Sequence, residues 1–125
     1  GAEDFLASIA EARPEHQEGL RRLGSWAQDL ERAGLARLFT YHGVGRKILL
    51  PRFQPDNVGL ATVWNERGPA IQLWRSVFER KAPRALERVA ALIAPVEVRQ
   101  GNSIREASPE LLAALTDAYR EANGR

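Results

Sequence analysis

The hydrophobic period of this chain changes twice, and those changes bound what it can fold into. Up to Gly34, apolar residues recur at three- and four-residue steps. Leu20, Leu23, Ala27 and Leu30, with Trp26 beside them, make a stripe along one side of a helix. Pro14 suits the first turn of that helix, and Gly34 suits the left-handed residue just past its end. A shorter helix is expected before it, over Glu3 to Ala12, with Phe5, Leu6 and Ile9 on one side. From Leu35 the period shortens. The segments Leu35 to Tyr41, Ile48 to Phe53, Val58 to Trp64 and Ala70 to Leu73 are rich in aromatic and β-branched residues. Between them lie turn-forming clusters: Gly43 to Gly45, Pro55-Asp56-Asn57, and Glu66-Arg67-Gly68-Pro69. That pattern predicts an antiparallel meander. Pro51 has no N–H to donate, which predicts an edge position or a bulge for the second strand.

The helical period returns at Trp74. A turn or more of helix is expected over Arg75 to Lys81, and Pro83 restarts a helix that Pro95 ends. Leu86, Val89, Ala90 and Ile93 are its apolar stripe. Val96 to Val98 reads as a short fifth strand or an extended segment. Gln100-Gly101-Asn102-Ser103 reads as a recognition loop or, more simply, a polar connector. Ser108-Pro109-Glu110 is a strong helix start, and Leu111, Leu112, Leu115, Ala118 and Tyr119 form the buried face that follows. The expected fold is one α+β domain over residues 1–125, with a four- to five-stranded antiparallel sheet packed with N- and C-terminal helices. Residues 1–34 are its helical part, 35–75 its strand meander and 76–125 its second, mainly helical part. Leu23, Leu30, Val63, Leu86, Val89, Ile93, Leu112 and Leu115 are expected to be buried together.

Several function classes drop out on composition. No run of ~18 apolar residues is present, so no membrane helix is expected, and no basic-then-apolar leader opens the chain. With no cysteine there is no disulfide, thiolate metal site or cysteine nucleophile, which fits a cytoplasmic location. The opening Gly1-Ala2, without methionine, suggests a trimmed tag or an excised domain. Two lysines against sixteen arginines fit a GC-rich bacterial genome.

Charge is segregated. Residues 1–35 carry a net −3, residues 36–105 a net +7 and residues 106–125 a net −2. A basic middle between acidic ends points to a polyanionic partner. Its candidate binding residues are Arg46 and Lys47 in the first hairpin turn, Arg75, and Lys81, Arg84 and Arg88 around the Pro83 helix. A row of arginines can grip phosphates without reading bases. The plainer reading of the same row is a solvated helix face, partly paired with Glu79 and Glu87.

Other patterns are weaker. Pro55-Asp56 followed by Glu79-Arg80-Lys81 spells a P-D…E-x-K nuclease signature, in which Asp56 and Glu79 would hold Mg²⁺ and Lys81 would steady water. The expected elements oppose it, because Asp56 falls in a turn and Glu79 to Lys81 in a helix. His16 and His42 have no metal-ligand spacing, and Gly43-Val44-Gly45 is no dinucleotide fingerprint. No catalytic set, metal or cofactor is expected. Strand alternation puts Thr62, Trp64, Gln72 and Trp74 on one sheet face and Val63, Ile71 and Leu73 on the other. Either set can face the helices. If the tryptophan set is left uncovered, a base or peptide can stack there; the plainer reading of Trp26, Trp64 and Trp74 is core packing.

The runs Phe5-Leu6-Ala7, Leu23 with Trp26-Ala27, Leu49-Leu50-Pro51-Arg52, Ala61-Thr62-Val63-Trp64-Asn65, Ile71-Gln72-Leu73, and Ile104-Arg105 before Leu111-Leu112 span most of the chain. In these the chain resembles uncharacterised bacterial α+β domains of actinobacterial type, some of which sit at the C-terminus of longer chains with nuclease-like parts. The resemblance implies an accessory role and carries over no catalytic residues. The expected function is therefore a non-catalytic binding or accessory domain for nucleic acid or another polyanion. The alternatives are a protein-interaction or homo-oligomerisation module and, behind it, the metal-dependent nuclease.

Overall fold

A computed structural model describes all residues, Gly1–Arg125. Two helices, α1 (Glu3–Ile9) and α2 (Pro14–Arg32), precede the strands β1 (Arg37–Gly43), β2 (Arg46–Arg52), β3 (Ala61–Asn65) and β4 (Pro69–Trp74). Helices α3 (Arg75–Lys81) and α4 (Pro83–Ile93) follow, then β5 (Gln100–Ile104) and α5 (Pro109–Ala122). The strands form one antiparallel sheet in the order β1-β2-β3-β4-β5. The α+β expectation holds, and so do its helix boundaries at Pro14, Pro83 and Pro109. Gly34 takes φ 71° at the end of α2, where the Leu35 N–H reaches back to the Leu30 carbonyl at 2.9 Å. The Ser108 hydroxyl accepts from the Leu111 N–H at 3.1 Å and caps α5.

One cluster of 29 buried residues forms the core. Leu20, Leu23 and Leu30 of α2, Val89 and Ile93 of α4, and Leu111, Leu112 and Leu115 of α5 converge on Leu38, Leu49, Val63, Ile71 and Leu73 of the sheet. Of the expected core set, Leu86 alone is only partly buried. Ala82, at the start of α4, takes the buried position one turn earlier.

Two strand expectations need correction. Of the two readings of Val96–Val98 the strand fails, and the fifth strand is Gln100–Ile104, which takes in the Gln100–Ser103 stretch read as a recognition loop or polar connector. It lies at a sheet edge, so only one side must pair and its side chains need not be apolar. Gly101, at φ 87°, lets the chain lie flat against the Trp74 indole, where a Cβ would stand 3.2 Å from the ring. Asn102 then holds the preceding loop by accepting from the Arg99 N–H at 2.8 Å and donating to the Glu97 carbonyl at 2.9 Å.

The second correction concerns Pro51. Its strand is not an edge strand, for β2 lies between β1 and β3; the irregularity falls on the β3 side, where the Phe53 N–H donates to the Val58 carbonyl at 2.7 Å, one residue off the register of the ladder. The β2–β3 ladder pairs Lys47 with Asn65, Ile48 with Trp64 and Leu49 with Val63, then stops. Pro51 and Ala61 are the next residues that would exchange backbone bonds. Pro51 cannot donate, and the two strands part. The Tyr119 hydroxyl of α5 fills the gap, donating to the Pro51 carbonyl at 2.7 Å and accepting from the Ala61 N–H at 3.3 Å. The proline is tolerated because the bond it cannot make lies where the ladder has already ended.

Tyr119 is fully buried against Phe53 and Trp26, with ring centroids 4.9 and 6.2 Å away. Burial raises its hydroxyl pKa far above the ordinary 10.0, so the phenol stays protonated and able to donate. Changing Tyr119→Phe leaves a buried carbonyl and a buried N–H without partners. The expected cost is about 1–3 kcal/mol of unfolding free energy, read from urea denaturation. An unchanged midpoint would show that the split does not need the hydroxyl.

Candidate binding surface

Helices α1 and α2, with α5 behind the sheet at Tyr119, pack on one sheet face, which settles the choice between the two faces. Val63, Ile71 and Leu73 are fully buried beneath them. Thr62, Trp64, Gln72 and Trp74 lie on the opposite face, joined by Tyr41 from β1 and Ile48, Leu50 and Arg52 from β2. Period-two alternation adds Arg37 and Phe39 to this face, level with Tyr41.

The polar atoms of the face are largely used within it. The Trp74 indole N–H donates to the Thr62 hydroxyl at 2.9 Å, and the Trp64 indole N–H to the Gln72 carbonyl oxygen at 2.6 Å. The Gln72 amide nitrogen donates in turn to the Gly101 carbonyl at 3.1 Å, tying β5 to the network. These bonds hold the two indoles in place and satisfy their only donors. Beside them runs a groove of about 490 Å³. It opens where β2 and β3 part, and Val58, Gly59 and Ala61 from the parted segment line it with both tryptophans, Tyr41 and Val77 of α3. A volume of this size lies within the range of small-molecule pockets.

Guanidinium groups border the face. Arg46 lies over the Trp64 ring, 5.2 Å from its centroid, with Glu66 at 4.0 Å, and its buried Nε has no hydrogen-bond partner. Arg37 lies 5.6 Å over the Phe39 ring. Arg37 and Arg52 stand directly opposite one another in the β1–β2 register.

The basic residues singled out from the sequence do not form one surface. Arg46 lies over Trp64 on the open face, whereas Lys47 alternates to the helix side, and both border a depression with Ser8 of α1 and Glu11 beyond its end. Arg75 stands beside the groove residue Trp74, pairing with Glu79 at 3.5 Å and donating to the Val98 carbonyl at 3.1 Å. Lys81 is held by Asp56 at 2.9 Å and lies 5.3 Å over the Phe53 ring. Arg88 pairs with Asp117 of α5 at 2.9 Å. The exposed Arg84 has its backbone N–H capped by Glu121, at 3.0 Å. The Arg88–Asp117 ion pair and the Glu121 carboxylate, on the Arg84 and Ala85 backbone N–H groups, thus tie the C-terminal helix to α4. Arg37 and Arg52 are what the sequence-based selection missed. Alternation with Phe39, Tyr41, Ile48 and Leu50 places them on the tryptophan face once the register is known.

The nuclease signature has no metal geometry. Asp56 is committed to Lys81 and Glu79 to Arg75, and Glu79 to Lys81 are helical. No three His, Asp or Glu side chains stand close enough to share a metal ion. His42 pairs with Asp4 at 3.0 Å, and His16 packs on Gly68. No helix is long and apolar enough to cross a membrane. No protein-family model, curated protein or solved structure matches the chain.

The Lys81 hydrogen bond holds the Asp56 carboxyl below its ordinary 3.8. A depressed folded-state pKa means that the pair stabilises the fold above the unfolded-state value, and that this contribution fades as pH falls through the folded-state value. In a carboxyl NMR titration, the Asp56 midpoint should therefore lie below 3.8 and rise toward it in a Lys81→Met variant. The same midpoint in both proteins would contradict the pairing.

Proposed function

We propose that this chain is a binding domain, an accessory module that engages nucleic acid through the uncovered face of its sheet. The observation that carries this reading is the groove itself: aromatic rings with satisfied N–H groups line it, and guanidinium groups stand at its border. Aromatic faces stack on bases whatever their sequence, at about 1–3 kcal/mol per base, while arginines neutralise phosphates. Arg52 lines the groove, whereas Arg46 stands beside it over the Trp64 ring, paired with Glu66, and Arg75 is paired with Glu79. Lys47, Lys81, Arg84 and Arg88 stand outside the groove, and Lys81 and Arg88 are paired with acids.

A protein partner added as an extra strand is less favoured. The outer edge of β1 is partly closed, because the Leu38 N–H donates to the Glu31 carboxylate at 2.9 Å and the Thr40 hydroxyl to the Gly1 carbonyl at 2.8 Å. The exposed Tyr41 and Val44 near the β1–β2 hairpin leave a side-chain contact with a protein as the second reading.

Tryptophan fluorescence should fall on titration with a single-stranded oligonucleotide. The logarithm of affinity should decline with the logarithm of salt concentration with a slope of about −2, as expected if three phosphates each contribute about 0.7. Absence of binding at low ionic strength, or binding indifferent to salt, would favour the protein partner.

A further inference from the structure

Resting on that reading, we infer that Arg37 and Arg52 form a clamp for one backbone phosphate of a single-stranded nucleic acid, with the groove beside them receiving an unpaired base. The two residues are register partners on neighbouring strands, so their side chains rise from adjacent points on the same face. Like charges placed directly opposite are destabilising in a sheet. On the helices, Arg75, Lys81 and Arg88 are each paired with an acid, Glu79, Asp56 and Asp117 in turn. Neither Arg37 nor Arg52 forms an ion pair. Both guanidinium groups are therefore free to pair with a bound anion.

The anion is identified by geometry and surroundings. Two guanidinium forks offer more donors than one carboxylate can accept, and phosphate oxygens match them. Phe39 supports the Arg37 fork from below, which limits the freedom it loses on binding. Arg52 also lines the groove, so a phosphate held by the pair sits at the groove's rim. A ring attached to that phosphate reaches Tyr41 and Trp74, and the Thr62 hydroxyl, already accepting from Trp74, keeps its own proton to donate. A base can enter such a slot only when it is free of a complementary strand, which selects single strands over duplexes.

The test compares the unmodified domain with an R37Q/R52Q variant and an R84A/R88A variant. The probes are a short oligothymidylate, an abasic oligomer of the same length, the corresponding duplex and thymidine monophosphate. The expected order for the unmodified domain is oligothymidylate first, with the abasic oligomer and the duplex each weaker by about tenfold or more, and the mononucleotide weakest. R37Q/R52Q should lose about tenfold in oligothymidylate affinity and show a shallower salt slope, while R84A/R88A keeps most of its affinity. R37Q/R52Q should also melt no lower than the unmodified domain, since no ion pair is lost. If it fails to fold, R37Q alone should show the same weakening in smaller measure. Oligonucleotide binding that survives R37Q/R52Q, or an abasic oligomer that binds equally well, would overturn the clamp and slot while leaving the nucleic-acid reading intact. No binding of any probe by the unmodified domain would overturn both.

Discussion

The Tyr119 hydroxyl stands between two backbone groups that would otherwise bond each other, and the shape of the sheet follows from it. The Ala61 N–H and the Pro51 carbonyl meet through this phenol rather than directly. Proline removes one of the two bonds that this residue pair would exchange, and the phenol takes over the other. Buried backbone groups are costly when unpaired, so the wedge is stable only because both are satisfied. On the helix side, the same ring packs with Phe53 and Trp26 and anchors α5 to the sheet. On the other side, the parting of β2 and β3 becomes the groove. One side chain therefore links the docking of the last helix to the groove of the uncovered face.

Much of the fold was legible because its signals are local. The hydrophobic period separates helices from strands, and prolines at first helical positions mark three helix starts. The errors arose where the deciding contact is remote. Gln100–Ile104 has little intrinsic strand character, and β4 recruits it through backbone pairing that no local pattern announces. Pro51 signals an interrupted ladder correctly, but whether that means a sheet edge or a split inside the sheet depends on Tyr119, 68 residues further on.

The candidate site divides in the same way. Alternation named Thr62, Trp64, Gln72 and Trp74 as one face but left open whether helices cover it, because that depends on which side the helical segments fold back. The charge pattern was real, yet in the densest basic stretch Lys81 is paired with Asp56 and Arg88 with Asp117, while Glu121 holds the Arg84 backbone N–H and leaves its guanidinium unpaired. Acids from a turn and from the C-terminal helix reach it only in three dimensions. The less conspicuous Arg37 and Arg52 are 15 positions apart, and only the β1–β2 register brings them together. Sequence proximity thus overstated one basic cluster and concealed another.

The central claim is that the sheet face opened by the Tyr119 wedge is where this domain meets its ligand. Amide chemical-shift mapping during titration with a single-stranded oligonucleotide tests it most directly, with the indole N–H signals of Trp64 and Trp74 followed in the same spectra. The account predicts shifts confined to β1 through β4 on the groove side, centred on Leu50, Arg52, Thr62 and Trp74, with α4 and α5 silent. Shifts centred on Arg84 and Arg88, with the two indole signals unmoved, would contradict it.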